Sequence, residues 1–257
     1  ATIDSIAIEV TAAAADSLLA EVWPQTANIG AETELHYWVR SVNSRGFDHL
    51  QISTQAPVSR IGSVQVDGED VQWEQTDIDG GVGITFARIS GNHLLHITFE
   101  SIALQYNTVF AGSVSDSRRP NDLPQNVEAG NAVDGALGLG ADLSVTIQVA
   151  DHTVHALHVA PVPFTPNGDG VNDYTTITYD IANLTGAAPV TVEVFDLAGR
   201  LQRTIAADLR GSGRFNSEWD GTHDSGKRVP PGVYLLRVRV EADTGAEYRT
   251  SIVPLIY

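Results

Sequence analysis

SEWDGTHDSGKRVPPGVYLLRVRV, residues 217–240, sets Trp219 beside a polar turn, follows it with Pro230, Pro231 and Gly232, and then runs into an alternating strand from Val233. A side chain of that size can plug the end of a β-sandwich, Asp220 and Gly221 can turn the chain, and the two prolines fix an extended approach to the strand while limiting edge pairing. Just upstream, VTVEVFDLAGRLQRTI (190–205) reads as a hairpin. Val190, Val192 and Val194 alternate onto one face, and Asp196 to Gly199 supplies the turn. Trp219, Phe195, Val194, Tyr234 and Leu236 are therefore expected in a core or at its margin.

Working outward, the same period of two recurs along most of the chain. SIAIEV (5–10), LHYWVRSV (35–42), HLQIST (49–54), GSVQV (62–66), GITFARI (83–89), LLHITF (94–99), TVFAGSV (108–114) and LSVTIQV (143–149) are short runs rich in β-branched and aromatic residues. Turn signals separate them: VDGED, DIDGG, ISGN and RRPND. TAAAADSLLAEV (11–22) admits two readings, a helix on alanine propensity or a linker followed by a strand. Residues 116–142 read as a long loop carrying the pair Arg118 and Arg119, either a bland surface loop or, as long loops often are, a functional one. The texture changes near residue 152. The chain is thus expected to be all-β, with an N-terminal β-sandwich over 1–152, jelly-roll or cohesin-like in arrangement, and an immunoglobulin-like sandwich over 153–257.

Three stretches of the second half, PNGDGVND (166–173), VEVFDLAGRLQRTI (192–205) and WDGTHDSGKRVPPGVYLLRV (219–238), occur in an order that resembles the FlgD-type immunoglobulin-like domain. That domain is common at the end of bacterial secreted and surface proteins. The resemblance covers roughly residues 158–257 and implies a structural or spacer role, sometimes linked to surface sorting. It implies no catalytic residues and no flagellar function.

Composition removes several function classes. With 32 acidic residues against 15 basic ones, a formal net charge of −17, the surface field repels nucleic-acid backbones and anionic lipid heads. The absence of cysteine removes disulfides, thiolate metal sites and cysteine nucleophiles. No stretch approaches the roughly 18 to 20 apolar residues that a membrane-spanning helix needs, so no membrane insertion is expected. The chain contains no methionine, so its numbering is expected to begin after processing or inside a longer chain, as secretion would explain.

Asn167, Asp169, Asn172 and Asp173 offer oxygens to Ca²⁺, with Gly168 and Gly170 bending the backbone around them. The order partly resembles calcium loops, but Thr165 stands where those begin with Asp, and no bidentate Glu follows. The alternative is a chain of Asx turns at an interdomain hinge. Apart from this calcium option no cofactor is expected.

His93 and His96, like His152, His155 and His158, are spaced by three in strands and so fall on opposite faces; His152 and His158 share a face but sit about 20 Å apart. Zinc chemistry is not expected. Glu69, Asp70 and Glu74 beside Trp73 read as a solvated turn, and Asn183-Leu184-Thr185 matches a glycosylation sequon. The reading is a non-enzymatic extracellular or cell-surface structural and adhesive protein. It self-associates into a filament or layer by strand addition through TIDSIAIEV (2–10) or TSIVPLIY (250–257). The alternative is an accessory, glycan-binding region of a larger secreted protein, presenting Trp23, Tyr37, Trp38 or Trp73 to sugar rings.

Overall fold

A computed structural model of the chain describes residues 12–133, 141–147 and 152–257. The described residues contain strands and turns but no helix. By internal contact the chain divides into two compact units. One comprises Ala1–Ala27, Glu32–Ser101 and Asn107–Thr146, the other Asn28–Ala31, Ile102–Tyr106 and Ile147–Tyr257.

The first unit is built from β1 (Ser17–Trp23), β2 (Thr26–Ala27), β3 (Glu32–Ser53), β4 (Val58–Val66), β5 (Glu69–Asp70), β6 (Trp73–Ile78), β7 (Gly81–Ile102), β8 (Asn107–Val109), β9 (Ala111–Ser115), β10 (Gln125–Asn126), β11 (Glu128–Ala129) and β12 (Ser144–Ile147). Of the two readings of residues 11–22, linker and strand holds over the described part. Leu18, Ala20 and Val22 alternate into the core while β1 pairs with β3 from Ser17 opposite Val42 to Trp23 opposite His36. Cross-strand pairing and burial outweigh the intrinsic propensity of alanine. The SIAIEV run lies outside the described residues.

The two long strands decide the architecture. LHYWVRSV and HLQIST, separate in the sequence reading, are one 22-residue strand, β3, and GITFARI and LLHITF are likewise one strand, β7. The ISGN signal between the latter pair marks a corner and not a chain reversal. Both strands bend at residues with positive φ, Asn43 (49°) and Gly46 (118°) in β3 and Gly91 (98°) in β7. The corners meet: Asn43 N–H donates to Asn92 Oδ1 at 2.7 Å, and Ser41 Oγ to the Gly91 carbonyl at 3.2 Å.

Beyond the corner each strand changes partners. The first half of β3 pairs with β1 and the second with β9; the first half of β7 pairs with β6 and the second with β4. One nine-stranded sheet therefore folds over itself, and both halves of β3 bury side chains in one core: Leu35, Tyr37 and Val39 from the first, Phe47, Leu50 and Ile52 from the second. Each large apolar residue so buried contributes roughly 1.5–3 kcal/mol. Gly46 cannot be replaced cheaply, since its φ of 118° strains any other residue and a Cβ there would push the Arg88 guanidinium off Asp116.

The second unit contains β13 (Val154–Ala160), β14 (Thr175–Ile181), β15 (Ala188–Asp196), β16 (Leu201–Arg210), β17 (Gly213–Trp219), β18 (Gly232–Ala242) and β19 (Gly245–Leu255). They form two antiparallel sheets, β13-β14-β17 and β16-β15-β18-β19, an immunoglobulin-like sandwich. The expected core forms. Val190, Val192, Val194 and Leu236 are fully buried, Trp219 and Tyr234 nearly so, and Phe195 half-buried.

Trp219 packs on Phe164 and Tyr234, each ring centroid 5.2 Å away, and its indole N–H donates to the Thr222 carbonyl at 3.0 Å. Tyr234 hydroxyl donates to the Pro230 carbonyl, which fixes the approach to β18. The Asp196–Gly199 turn closes as expected, Gly199 N–H donating to the Asp196 carbonyl at 2.9 Å.

Candidate functional site

The 164–174 loop hangs between two fixed points. Phe164 is buried under Trp219, and Thr175 begins β14. Between them the short polar side chains bind the loop's own backbone. Asn167 Oδ1 accepts from Asp169 N–H (2.9 Å), Asp169 Oδ1 from Val171 N–H (2.8 Å), and the Asp173 oxygens from Gly168 N–H (2.6 Å) and Gly170 N–H (2.7 Å). The second Asp169 oxygen accepts from the Asn167 amide at 3.0 Å.

Gly168, Gly170 and Asn172 take positive φ, as the tight turns require. The Val171 N–H, and after it the Asn167 amide, hold the Asp169 carboxyl below its usual range. These are the hydrogen bonds of the Asx-turn reading. The four candidate calcium ligands thus lie in one loop, and side-chain oxygens of Asn167, Asp169 and Asp173 already accept hydrogen bonds within it. Among the described residues no three His, Asp or Glu side chains are grouped to hold a metal.

The Arg118 and Arg119 pair separates into two roles. Arg118 is exposed, whereas Arg119 turns onto Asp116, a carboxylate only 6% exposed. Asp116 accepts from Arg88 Nη2 (3.0 Å), Arg119 Nε (3.0 Å) and Arg118 N–H (3.0 Å). The Arg88 guanidinium above all, with help from Arg118 N–H and Arg119, brings its pKa down to about 2. Arg88 also donates to the Arg45 carbonyl and Arg119 to that of Gly46, so the cluster pins the start of the long loop to the β3 corner.

His93 and His96 find their partners on other strands or loops. His93 binds Asp67 (2.6 Å), whereas His96 meets His36 from β3, Nε2 to Nδ1 at 3.0 Å, and lies parallel to Trp38 at 4.8 Å between centroids. Burial, followed by the neighbouring His36, lowers the His96 pKa to about 4, so at neutral pH it is an uncharged member of an aromatic stack. Sequence reading missed this pair, because it requires the register between β3 and β7.

Of the aromatics weighed for sugar contact, Tyr37 is wholly in the core, Trp38 is 9% exposed and Trp73 half-buried; Trp23 is 45% exposed. Glu69, Asp70 and Glu74 are exposed. The Asn183 amide of the sequon is buried, which closes it to glycosylation in the folded domain.

The terminal strand has a definite place. Residues 250–255 lie in β19, paired with β18 along its whole length from Gly232 opposite Leu255 to Ala242 opposite Gly245. Its far side is partly laced to the same unit. Phe164 N–H donates to the Pro254 carbonyl (3.3 Å), Ile256 N–H to the Phe164 carbonyl (3.1 Å), and Arg249 Nε to the Val154 carbonyl (2.5 Å).

At the opposite edge β16 pairs with β15 alone among the described residues. Its start is capped by the 223–224 loop, since Asp224 N–H donates to the Gln202 carbonyl and Thr204 N–H to Asp224 Oδ1. Among the described residues no such cap covers 205–210, and Leu209 is 69% exposed. Across the outer face of this sheet Leu201, Phe195, Leu235 and Ile252 stand opposite one another in a single row, with Leu201 and Ile252 exposed.

The FlgD Ig-like domain family matches residues 168–245, within the stretch whose motifs resemble it. No curated protein matches the chain. Among solved structures it is similar to dimeric latent PorU from Porphyromonas gingivalis (15% identity, 94% of this chain and 20% of that one, TM-score 0.35). It is also similar to a purple acid phosphatase from yellow lupin, Lupinus luteus (12%, 91% and 40%, 0.35), and to a tandem of titin immunoglobulin domains (10%, 93% and 97%, 0.28). The chain spans between a fifth and two fifths of the length of the first two. These likenesses are too slight to carry an argument beyond the family match.

Proposed function

We propose that the chain is a non-enzymatic, extracellular structural and adhesive protein of a bacterial surface, whose copies associate through the open edge of the C-terminal sandwich. The observation that carries this reading is the edge of β16 over residues 205–210, which pairs with no further strand among the described residues and exposes Leu209. Unpaired edge N–H and C=O groups are a template for a further strand, and no proline interrupts this one, its charged residues over 205–210 being Asp208 and Arg210.

The family match adds a domain type whose role is structural. The placement of β19 revises the route. The C-terminal segment is already a strand of its own sheet, so it does not act as the donor, and β16 is the acceptor. The N-terminal candidate donor lies outside the described residues. A heterologous contact of this kind extends into a filament unless its rotation closes.

Light scattering on the purified chain over a concentration series, with negative-stain microscopy, tests the proposal. Growth in mass with concentration is expected, abolished by Leu209→Lys with the melting temperature unchanged. A monodisperse monomer at the highest soluble concentration overturns it, as does assembly undiminished by Leu209→Lys.

A further inference from the structure

We propose that His36 and His96, which meet across the adjacent strands β3 and β7, form a two-imidazole site for a nitrogen-preferring divalent transition-metal ion such as Cu²⁺ or Zn²⁺. His36 sits between the buried Leu35 and Tyr37, and His96 between the buried Leu95 and Ile97, so both point away from the core of the first unit. The outer nitrogen of each ring decides the state of the inner one. Gln65 Nε2 donates to Asp70 Oδ1 at 2.9 Å, which turns Gln65 Oε1 toward His96 Nδ1 at 3.3 Å. An amide oxygen only accepts, so His96 Nδ1 carries the proton and Nε2 keeps its lone pair. On the other ring the Glu34 carboxylate, which also only accepts, stands 3.7 Å from His36 Nε2 and draws the proton there. His36 Nδ1 and His96 Nε2 are then two lone pairs facing each other 3.0 Å apart. They repel unless a cation lies between them. A proton fills that role without metal, and a metal ion takes its place on binding.

The donor set selects the ion. Imidazole nitrogen suits copper and zinc, whereas Ca²⁺ and Mg²⁺ take oxygen. Two metal–nitrogen bonds of about 2.0–2.1 Å at about a right angle span the observed 3.0 Å between the nitrogens. The rings lie within 10° of one plane, so each tilts toward solvent to bring its lone pair onto the ion. His36 retains 26% of its exposure, which opens that side to the ion and to the waters that complete its coordination. Burial leaves His96 uncharged at neutral pH, the form a ligand requires. An acceptor on the far nitrogen of each ring is also the arrangement that orients metal-bound imidazoles. With two protein ligands the site exchanges its ion and is no closed structural centre. The inference stands apart from the assembly reading, since β16 belongs to the other unit.

The test is titration of the whole chain with CuCl₂ and ZnCl₂, and with MgCl₂ as the oxygen-preferring control. Calorimetry follows all three ions; tryptophan fluorescence and electron paramagnetic resonance follow copper. Saturable binding of one Cu²⁺ per chain is expected, with a spectrum split by two nitrogens. Emission should fall, because the Trp38 ring lies 4.8 Å from that of His96 and the Trp23 ring 5.6 Å from that of His36. His36→Gln and His96→Gln are each expected to weaken binding at least about tenfold. His49→Gln, at a histidine bonded to Thr85 outside the pair, should leave it unchanged. Glu34→Gln changes a side chain 63% exposed, so the fold is kept while binding weakens several-fold. The proposal is overturned if neither Cu²⁺ nor Zn²⁺ binds saturably, or if Mg²⁺ competes equally. It is overturned too if the copper spectrum lacks the two-nitrogen splitting, or if either variant of the pair binds as the native chain does.

Discussion

Replacing Asp116 by Asn keeps the volume of the side chain and turns one acceptor oxygen into a donor that faces two guanidinium groups. In the native protein Asp116 takes charge-assisted hydrogen bonds from Arg88 and Arg119 and one from the Arg118 backbone. Breaking a buried ion pair from one side costs about 3–5 kcal/mol. Here the guanidiniums retain 22% and 25% of their exposure and recover part of their hydration, which lowers the expected loss to about 2 kcal/mol. For a unit of this size that is about 4–8 °C in melting temperature.

The sign with pH follows from the direction of the shift. The carboxyl titrates near 2 in the folded state against a usual 3.8, so the folded protein favours the charged form. Its contribution is complete above the usual value and disappears as pH falls through the folded one. Differential scanning calorimetry from neutral to acid pH should therefore show the first unit melting earlier in the variant at neutral pH, with the gap closing below about pH 4. Equal melting at neutral pH, or a gap that persists unchanged to pH 2, would refute the assignment of this stabilisation to the charged Asp116 cluster.

Two further perturbations probe the second unit. Trp219→Ala should cost about 3–5 kcal/mol, because a ring 1% exposed leaves a cavity between Phe164 and Tyr234. Trp219→Phe should cost less and leave the Thr222 carbonyl without its donor; urea unfolding followed by circular dichroism separates the two. In the 164–174 loop, Asp173→Ala should lower stability by about 1–2 kcal/mol through loss of two N–H acceptors. Millimolar calcium is expected to leave the melting temperature of the native chain unchanged, and a clear rise would favour the calcium loop over the Asx turns.

Where a local pattern sets the structure, the sequence was legible. Val190, Val192 and Val194 bury because a strand alternates, and Trp219 sits under the turn that its neighbours Asp220 and Gly221 make. Where long-range register sets it, the sequence was silent or ambiguous. The glycine in ISGN reads equally as a reversal or as a corner, and only the joint bend of β3 and β7 distinguishes them.

His36 and His96 are 60 residues apart and meet only after that bend. Arg88 is 28 residues from Asp116, so the local arginine pair drew attention while the strongest partner lay elsewhere. Asn183 was visible only as a sequon. The burial of its amide without a partner depends on the packing around it, which no motif encodes.

The place of β19 also bears on biosynthesis. Its partner β18 lies in the middle of its sheet, and Val253 and Leu255 complete the core against which Phe164 and Trp219 are packed. The sandwich therefore stays unclosed until β19 has been made and has emerged, although the strands before it were made earlier. During that interval the edge of β18 and the half-built core are open to chaperones and proteases.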